Sequence, residues 1–429
     1  MLVAALVAVA LANQIAARQR DYRVLLMRGD AFLREDDTFR AIEAYSGAIA
    51  LRPDSMLAYL RRGETYRRRG ELEAAVHDFS RAAALDSAPT RPLEELGDVS
   101  YQLQRYDRAI TSYKRSLALD DRPARVYYKL ALAHYRAGDA PEALAAVEQA
   151  VRLDAHMADA HYLRGICLRD QRRTADAMKA FERAIGLAPA LVPAREELAD
   201  LLAGLDRRSE EIEQLQLLAG LDREHTARHV ALGLAYARTR RWDAAVLTLG
   251  SALERARDPL LYQALGQVWL ESARARDDRV ELRKAREALE PIAASPGAAS
   301  QALMLAGEAA LADGDLDGAE RMLQLATERY PVDPAAMLVY AGVAERRNHL
   351  DAARRSLIQY EALVSADPEL VARAAKIAAL SIRVNDPDAA NEWIKRGLDR
   401  DPQNAALIAM GDRVKRASAD RPPITSPRP

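Results

Sequence analysis

The chain of 429 residues contains one cysteine, Cys167. No internal disulfide can form, and a metal site built from several cysteines is excluded. Aromatic residues are scarce too, with 4 Phe and 3 Trp and an aromatic share of 5%. The apolar fraction of 49% therefore leans on Ala and Leu, a composition that suits closely packed helices better than sheets. Neither sign of charge is in surplus: 62 Lys and Arg face 63 Asp and Glu, for a net charge of −1. Without a positive field to gather a polyphosphate, nucleic acid is not expected as a partner. The sequence has no G-x-x-x-x-G-K-[ST] loop, no G-x-G-x-x-G after a strand and no H-E-x-x-H, so the common phosphate-binding and zinc-hydrolase motifs are missing. Charged residues at 29% argue against a polytopic membrane protein and against a fully disordered one.

What the chain does have is an internal repeat. Gly29, Phe32, Ala41, Tyr45 and Ala48 return 34 residues later as Gly63, Tyr66, Ala75, Phe79 and Ala82. Gly97, Ala109 and Tyr113 mark a third copy; Ala131, Ala143 and Ala150 a fourth; Gly165, Ala177, Phe181 and Ala184 a fifth. The sixth copy is degenerate, with Glu211 where the small residue belongs, and Gly233, Tyr236 and Ala245 restore the beat in the seventh. From Gly266 to Gly307 the interval is 41 residues. The eighth copy therefore carries about seven extra residues, expected in Glu271–Glu281 between its two helices. Gly307, Ala319 and Leu323 mark the ninth copy, Ala341 and Ala353 the tenth, Ala378 and Ala390 the eleventh.

Each copy shows two amphipathic stretches with apolar spacings of three and four, the period of a helix. Turns such as Arg69-Gly70-Glu71, Ala137-Gly138-Asp139 and Asp313-Gly314-Asp315 separate them, and glycine there suits a left-handed helix end. Copies end in Pro or Asp-Pro, at Pro53, Pro189, Pro331, Asp333-Pro334, Asp367-Pro368 and Asp401-Pro402. Proline stops the outgoing helix and Asp caps the next. Gly63 and Ala75 are expected face to face, bringing the two axes of a hairpin close. A lone hairpin cannot bury its apolar face, so the copies must stack.

The 34-residue pattern resembles the tetratricopeptide repeat (TPR), written loosely as W-x2-L-G-x2-Y…A-x3-F…P. It covers about residues 22–402 without the initial Trp. The resemblance implies an all-α, right-handed α-solenoid of stacked helix hairpins, about eleven repeats with a longer eighth. It also implies a concave surface supplied mainly by the first helix of each pair, which is where such proteins bind a protein or peptide partner. At the groove positions of the family stand Tyr101, Arg125, Tyr128, Tyr135, Arg136, Tyr162 and Arg169. Tyrosine with arginine is the composition of binding hot spots, and equally a normal filler between helices. Some family members clamp a partner's C-terminal carboxylate with Lys, Asn and Arg. Met27, Asp30, Arg61, Glu64, Arg91 and Glu95 occupy those positions here, and the acids disfavour such a clamp.

Residues 1–17 carry no charged side chain. As a helix they span about 26 Å, short of the ~30 Å hydrocarbon core. A membrane anchor is the first expectation. A cleaved secretory signal is the second, since Ala10-Leu11-Ala12 fits a cleavage site although no basic leader precedes the apolar run. A helix that merely caps the stack, or a chain whose natural start lies upstream, is the third. The anchor would make residues 1–21 a segment apart from the repeats. Arg18, Arg20, Arg23 and Arg28 then place the repeats in the cytoplasm, whereas cleavage would leave them secreted or periplasmic. At the far end, residues 403–417 read as a capping helix and 418–429 as a disordered Pro-rich tail.

No cofactor is expected. His225 and His229 share a helix face four apart, but no third metal ligand accompanies them, and they read as surface residues near a helix start. Cys167 reads as a buried apolar residue. No segment outside the repeats is long enough for a catalytic domain. The expectation is a non-enzymatic scaffold or adaptor, tethered to a membrane. Its rivals are a subunit of a cell-envelope export or assembly machine and an accessory module that holds a small ligand or glycan.

Overall fold

The computed structural model describes residues 2–364 and 368–419. Among the described residues every regular element is an α-helix, and there are twenty-three. The chain divides into two compact units, Met1–Asp206 and Arg207–Pro429.

In the first unit α1 (Leu2–Arg34) packs on α2 (Thr38–Leu51), α3 (Met56–Arg68) on α4 (Leu72–Leu85), and α5 (Arg91–Gln102) on α6 (Tyr106–Leu119). Next come the pairs α7 (Ala124–Arg136) with α8 (Ala140–Leu153) and α9 (Ala158–Asp170) with α10 (Thr174–Leu187), and α11 (Val192–Gly204) closes the unit. The second unit opens with α12 (Arg208–Leu221). Its hairpins are α13 (Thr226–Arg238) with α14 (Trp242–Arg255), α15 (Pro259–Arg276) with α16 (Arg279–Ala293), and α17 (Ser300–Ala312) with α18 (Leu316–Glu328). The pairs α19 (Pro334–Arg346) with α20 (Leu350–Leu363) and α21 (Leu370–Arg383) with α22 (Pro387–Arg400) follow. The last helix, α23 (Ala405–Ala419), buries Leu407 and Val414 against α21 and α22. The capping helix expected over residues 403–417 stands here as Ala405–Ala419, two residues into the stretch expected to be tail. The tail expected to be disordered lies, from residue 420 on, outside the described residues, as does Asp367.

The hairpins follow the repeat beat, but the contact that closes each one differs from expectation. Gly63 faces Phe79 rather than Ala75: a Cβ on Gly63 would sit 2.7 Å from the Phe79 ring. The same slot recurs at Gly29 with Tyr45, Gly97 with Tyr113, Gly165 with Phe181, Gly233 with Leu249 and Gly307 with Leu323. The bulky residue sixteen positions on lies flat over the glycine backbone, so any side chain there would displace it. Ala75 and its equivalents Ala41, Ala109, Ala143 and Ala177 are fully buried beside that contact.

The extra residues of the eighth copy also differ from expectation. They form no connecting segment. Residues 271–276 continue α15, and α16 begins at Arg279. Gly266 still receives its plug, Leu289, now twenty-three positions later, because the added turns keep the helical phase. The stretch Ser272–Arg276, rich in Ala and Arg, favours helix.

Glycine is not the general solution for the hairpin turns. A left-handed residue stands in the turn of each of the ten hairpins, Gly70, Gly138 and Gly314 but otherwise Asp36, Gln104, Arg172, Arg240, Asp277, Asn348 and Asn385, and Asp206 after α11 is left-handed too. Capping follows the Asp-Pro reading: the Asp333 carboxylate accepts from the Ala335 amide at 2.9 Å, with Pro334 as the first helical residue.

The N-terminal segment is not separate from the repeats. α1 runs unbroken from Leu2 to Arg34, so residues 2–21 are continuous with the first helix of the first repeat. Among the described residues no helix is long and apolar enough to cross a membrane.

Candidate functional site

Consecutive first helices touch: α3 with α5, α5 with α7, α7 with α9. Their partners α4, α6, α8 and α10 stand further apart, so this run of the first unit curves with the first helices inside. Tyr101 lies on α5, Arg125, Tyr128, Tyr135 and Arg136 on α7, and Tyr162 and Arg169 on α9. The structure thus sets all seven sequence-derived candidates on three adjacent inner helices.

Their surroundings sort them. All four tyrosines are half-buried and pack on one continuous core cluster, so each fills a seam as well as facing outward. The Tyr101 ring meets Tyr106 edge-on at 5.5 Å. Tyr135 donates to Asp170 Oδ2 at 3.0 Å. Tyr162 leans on Phe181 with ring centroids 6.0 Å apart. The hydroxyls of Tyr128 and Tyr162 have no hydrogen-bond partner among the described residues. Burial pushes the Tyr128 phenol up to about 12, with Asp159 adding to the shift, so it stays a hydrogen-bond donor.

The arginines are more committed than the sequence suggested. Arg125 pairs with the buried carboxylate of Glu94 at 2.7 Å. Arg169 is held by Glu197 and by Asp170, the latter at 2.8 Å. Arg136 is exposed. The partners Glu94 of Arg125 and Glu197 of Arg169 come from neighbouring copies, where spacing along the chain does not reveal them.

A second pattern was in the sequence and went unread. The ninth groove position holds Asp30, Glu64 and Asp98 in the first three copies, then Leu132 and Ile166. Each acid is consumed. Asp30 accepts from the Tyr45 hydroxyl at 2.7 Å, and Glu64 binds Arg61 at 3.3 Å and Arg91 at 2.5 Å. Asp98 takes the Tyr113 hydroxyl at 2.7 Å and Lys129 at 2.6 Å. The inner face therefore begins as a ladder of ion pairs and changes, on α7 and α9, to Leu132 and Ile166 framed by tyrosines.

The other candidates fall away from chemistry. Cys167 is fully buried, and burial pushes its thiol up to about 11, which keeps it protonated. His225 is exposed, but His229 is buried, not a surface residue, and its Nε2 bonds the Arg223 carbonyl at 3.1 Å. His161 does the same with Ala155 at 3.1 Å, and Arg195 with Pro189 at 3.0 Å. All three stand at one repeat position and brace the incoming connection. Among the described residues no group of three or more His, Cys, Asp or Glu is placed to hold a metal ion.

Comparison with known proteins decides the family. One tetratricopeptide repeat family model matches residues 26–92, 128–191, 270–334 and 309–368, which together exceed half the chain. The chain belongs to the tetratricopeptide repeat family. Two further TPR models match 97–138 and 229–261. No curated protein matches it. Among solved structures, this TPR chain is similar to a tetratricopeptide repeat protein from Parabacteroides merdae at 15% identity, covering 58% of this chain and 99% of that one, with a TM-score of 0.43. It is similar to YrrB, described as a TPR protein with an unusual peptide-binding site, at 20% identity over 44% of this chain and 96% of that one, with a TM-score of 0.39. For MamA from Desulfovibrio magneticus the identity is 18%, the coverage 40% and 97%, and the TM-score 0.38. The repeats make this a protein-interaction scaffold.

Proposed function

We propose that this TPR protein is a non-catalytic adaptor that grips an extended peptide or partner helix on the inner face of α7 and α9, and that residues 1–17 hold it at a membrane with the repeats on the cytoplasmic side. One observation carries the first part: the acid at the ninth groove position gives way after Asp98 to Leu132 and Ile166, flanked by Tyr128 and Tyr162, whose hydroxyls are unbonded among the described residues. A partner docking on the ladder would have to break paired charges. A partner docking on the tyrosines gains apolar area and two hydrogen-bond donors without that cost. Since Arg125 and Arg169 are neutralised in place, the face favours partners with apolar or aromatic anchors over strongly acidic ones. The cytoplasmic side is favoured by Arg18, Arg20, Arg23 and Arg28 after the apolar run, a basic cluster suited to the anionic cytoplasmic leaflet.

The test is quantitative capture from membranes with full-length protein, compared with the Tyr128→Ala/Tyr162→Ala variant. Specific partners should drop about tenfold or more while the circular dichroism spectrum stays unchanged. Equal capture by both proteins would end this reading of the face.

A further inference from the structure

The described side chains in the first half of α1 offer an apolar surface that no described residue covers. Leu6, Val9, Leu11 and Ile15 are 64%, 59%, 52% and 66% exposed. At about 100° per residue Leu6 and Val9 lie on one side of the helix and Leu11 and Ile15 on the opposite side, and Asn13 and Gln14 are the only polar side chains before Arg18. A helix lying flat on a membrane carries a polar face, and this one has none. A second copy of the helix would cover one stripe and leave the rest in water. A medium that surrounds the helix fits all of it.

The polar boundary is abrupt. Arg18, Arg20, Arg23 and Arg28 are all exposed, and no acidic side chain precedes Asp21. Arg20 touches Asp21 only at 3.8 Å, and Arg18 and Arg23 have no carboxylate partner among the described residues. Around the helix these arginines form a collar rather than a stripe. Just past Arg20 the packed fold begins: Tyr22 is buried, its hydroxyl 2.5 Å from Ser55 Oγ and its ring 5.0 Å beneath Arg52. Gly29 then receives Tyr45. Between Leu2 and Met27 there is neither glycine nor proline, so nothing in the helix acts as a hinge.

We propose that residues 2–17 embed in a lipid bilayer, that the arginine collar seats on anionic headgroups, and that the unbroken α1 fixes the orientation of the first hairpin relative to the bilayer. The embedded stretch is about 24 Å long at 1.5 Å per residue. It enters deeply without reaching across the ~30 Å hydrocarbon layer. This rests on the membrane reading above and adds to it the lipid class and the rigid coupling.

The experiment is flotation of the full chain with vesicles of phosphatidylcholine alone or mixed with phosphatidylglycerol. The wild type should float with both and more with the anionic mixture. Leu6→Asp/Ile15→Asp should abolish flotation with either. Arg18→Gln/Arg23→Gln should keep binding to neutral vesicles and lose about fivefold of the anionic preference per arginine. A protein that stays at the bottom, or that sediments as a dimer through this helix without binding vesicles, overturns embedding and the membrane reading together. Equal flotation with both lipids overturns the headgroup assignment alone. For the coupling, a spin label on Asp121→Cys reports its distance to the lipid surface. Four residues, Gly-Ser-Gly-Ser, inserted after Ala17 should broaden that distance distribution and leave flotation unchanged. An unchanged distribution overturns rigid coupling and leaves the tether standing. The Tyr128 and Tyr162 face is judged separately, by the difference in capture between the wild type and its double variant.

Discussion

The two units fill the same slot with different side chains. In the first, the glycine of a hairpin is covered by an aromatic ring: Tyr45, Phe79, Tyr113 and Phe181. In the second the cover is leucine: Leu249, Leu289 and Leu323. Both choices bury the plug fully, so helix approach alone does not distinguish them. The difference is reach. The tyrosines pass over the glycine and put their hydroxyls on the inner face, where Asp30 and Asp98 accept them at 2.7 Å. A leucine ends inside the hairpin. At Tyr45 and Tyr113, then, one side chain serves both the core and the charge pattern of the inner face, which neither the phenylalanines nor the leucines can do.

Emptying the slot should produce the largest effect. Phe181→Ala is expected to cost about 3–5 kcal/mol and Leu323→Ala about 2–5 kcal/mol, read from urea unfolding followed by circular dichroism. Equal losses would mean the ring adds nothing beyond a leucine. Crowding the slot comes next. A Cβ at Gly97 would lie 2.5 Å from the Tyr113 ring, so Gly97→Ala should destabilise by about 1–3 kcal/mol. Gly250 has nothing within 4 Å of its Cβ direction, and Gly250→Ala should stabilise by about 1 kcal/mol through helix propensity; the contrast in thermal midpoint checks both.

Tyr113→Phe keeps the plug and removes only the reach. It should cost about 1.5–3 kcal/mol, the range for a hydrogen bond to a charged acceptor, and Leu323, which makes no such bond, has no counterpart loss. The smallest effect concerns the turns. Arg172 holds a left-handed conformation at φ 60°, and Arg172→Gly should raise stability by up to about 1 kcal/mol. Gly138→Ala, at φ 84°, should lower it by a similar amount.

Much of the fold was legible because small residues recur at intervals the helix period can use. Gly29, Gly63 and Gly97 announced close helix approach, and Pro189, Pro331 and Asp333-Pro334 announced the breaks. The partner of each glycine was misjudged because Ala75 is small and near in register, whereas the residue that meets Gly63 is the large one a turn further on. The eighth copy was read as a longer connection because an interval of 41 says nothing of the state of the added residues. Of the candidate face, the residues and their common side were legible. The ion pairs Arg125 with Glu94 and Arg169 with Glu197 were not, since each joins residues about thirty apart that only stacking makes neighbours.

Sequence alone determined the repeat length, the helical state and which positions had to be small, because helix period and close approach are local requirements that every copy satisfies with its own residues. Tertiary structure decided which large side chain covers each glycine, that residues 2–21 and the first repeat share one helix, and that the charges facing inward are already paired. Those outcomes depend on side chains from separate hairpins meeting, and a linear spacing holds no information about a contact that exists only after the hairpins have stacked.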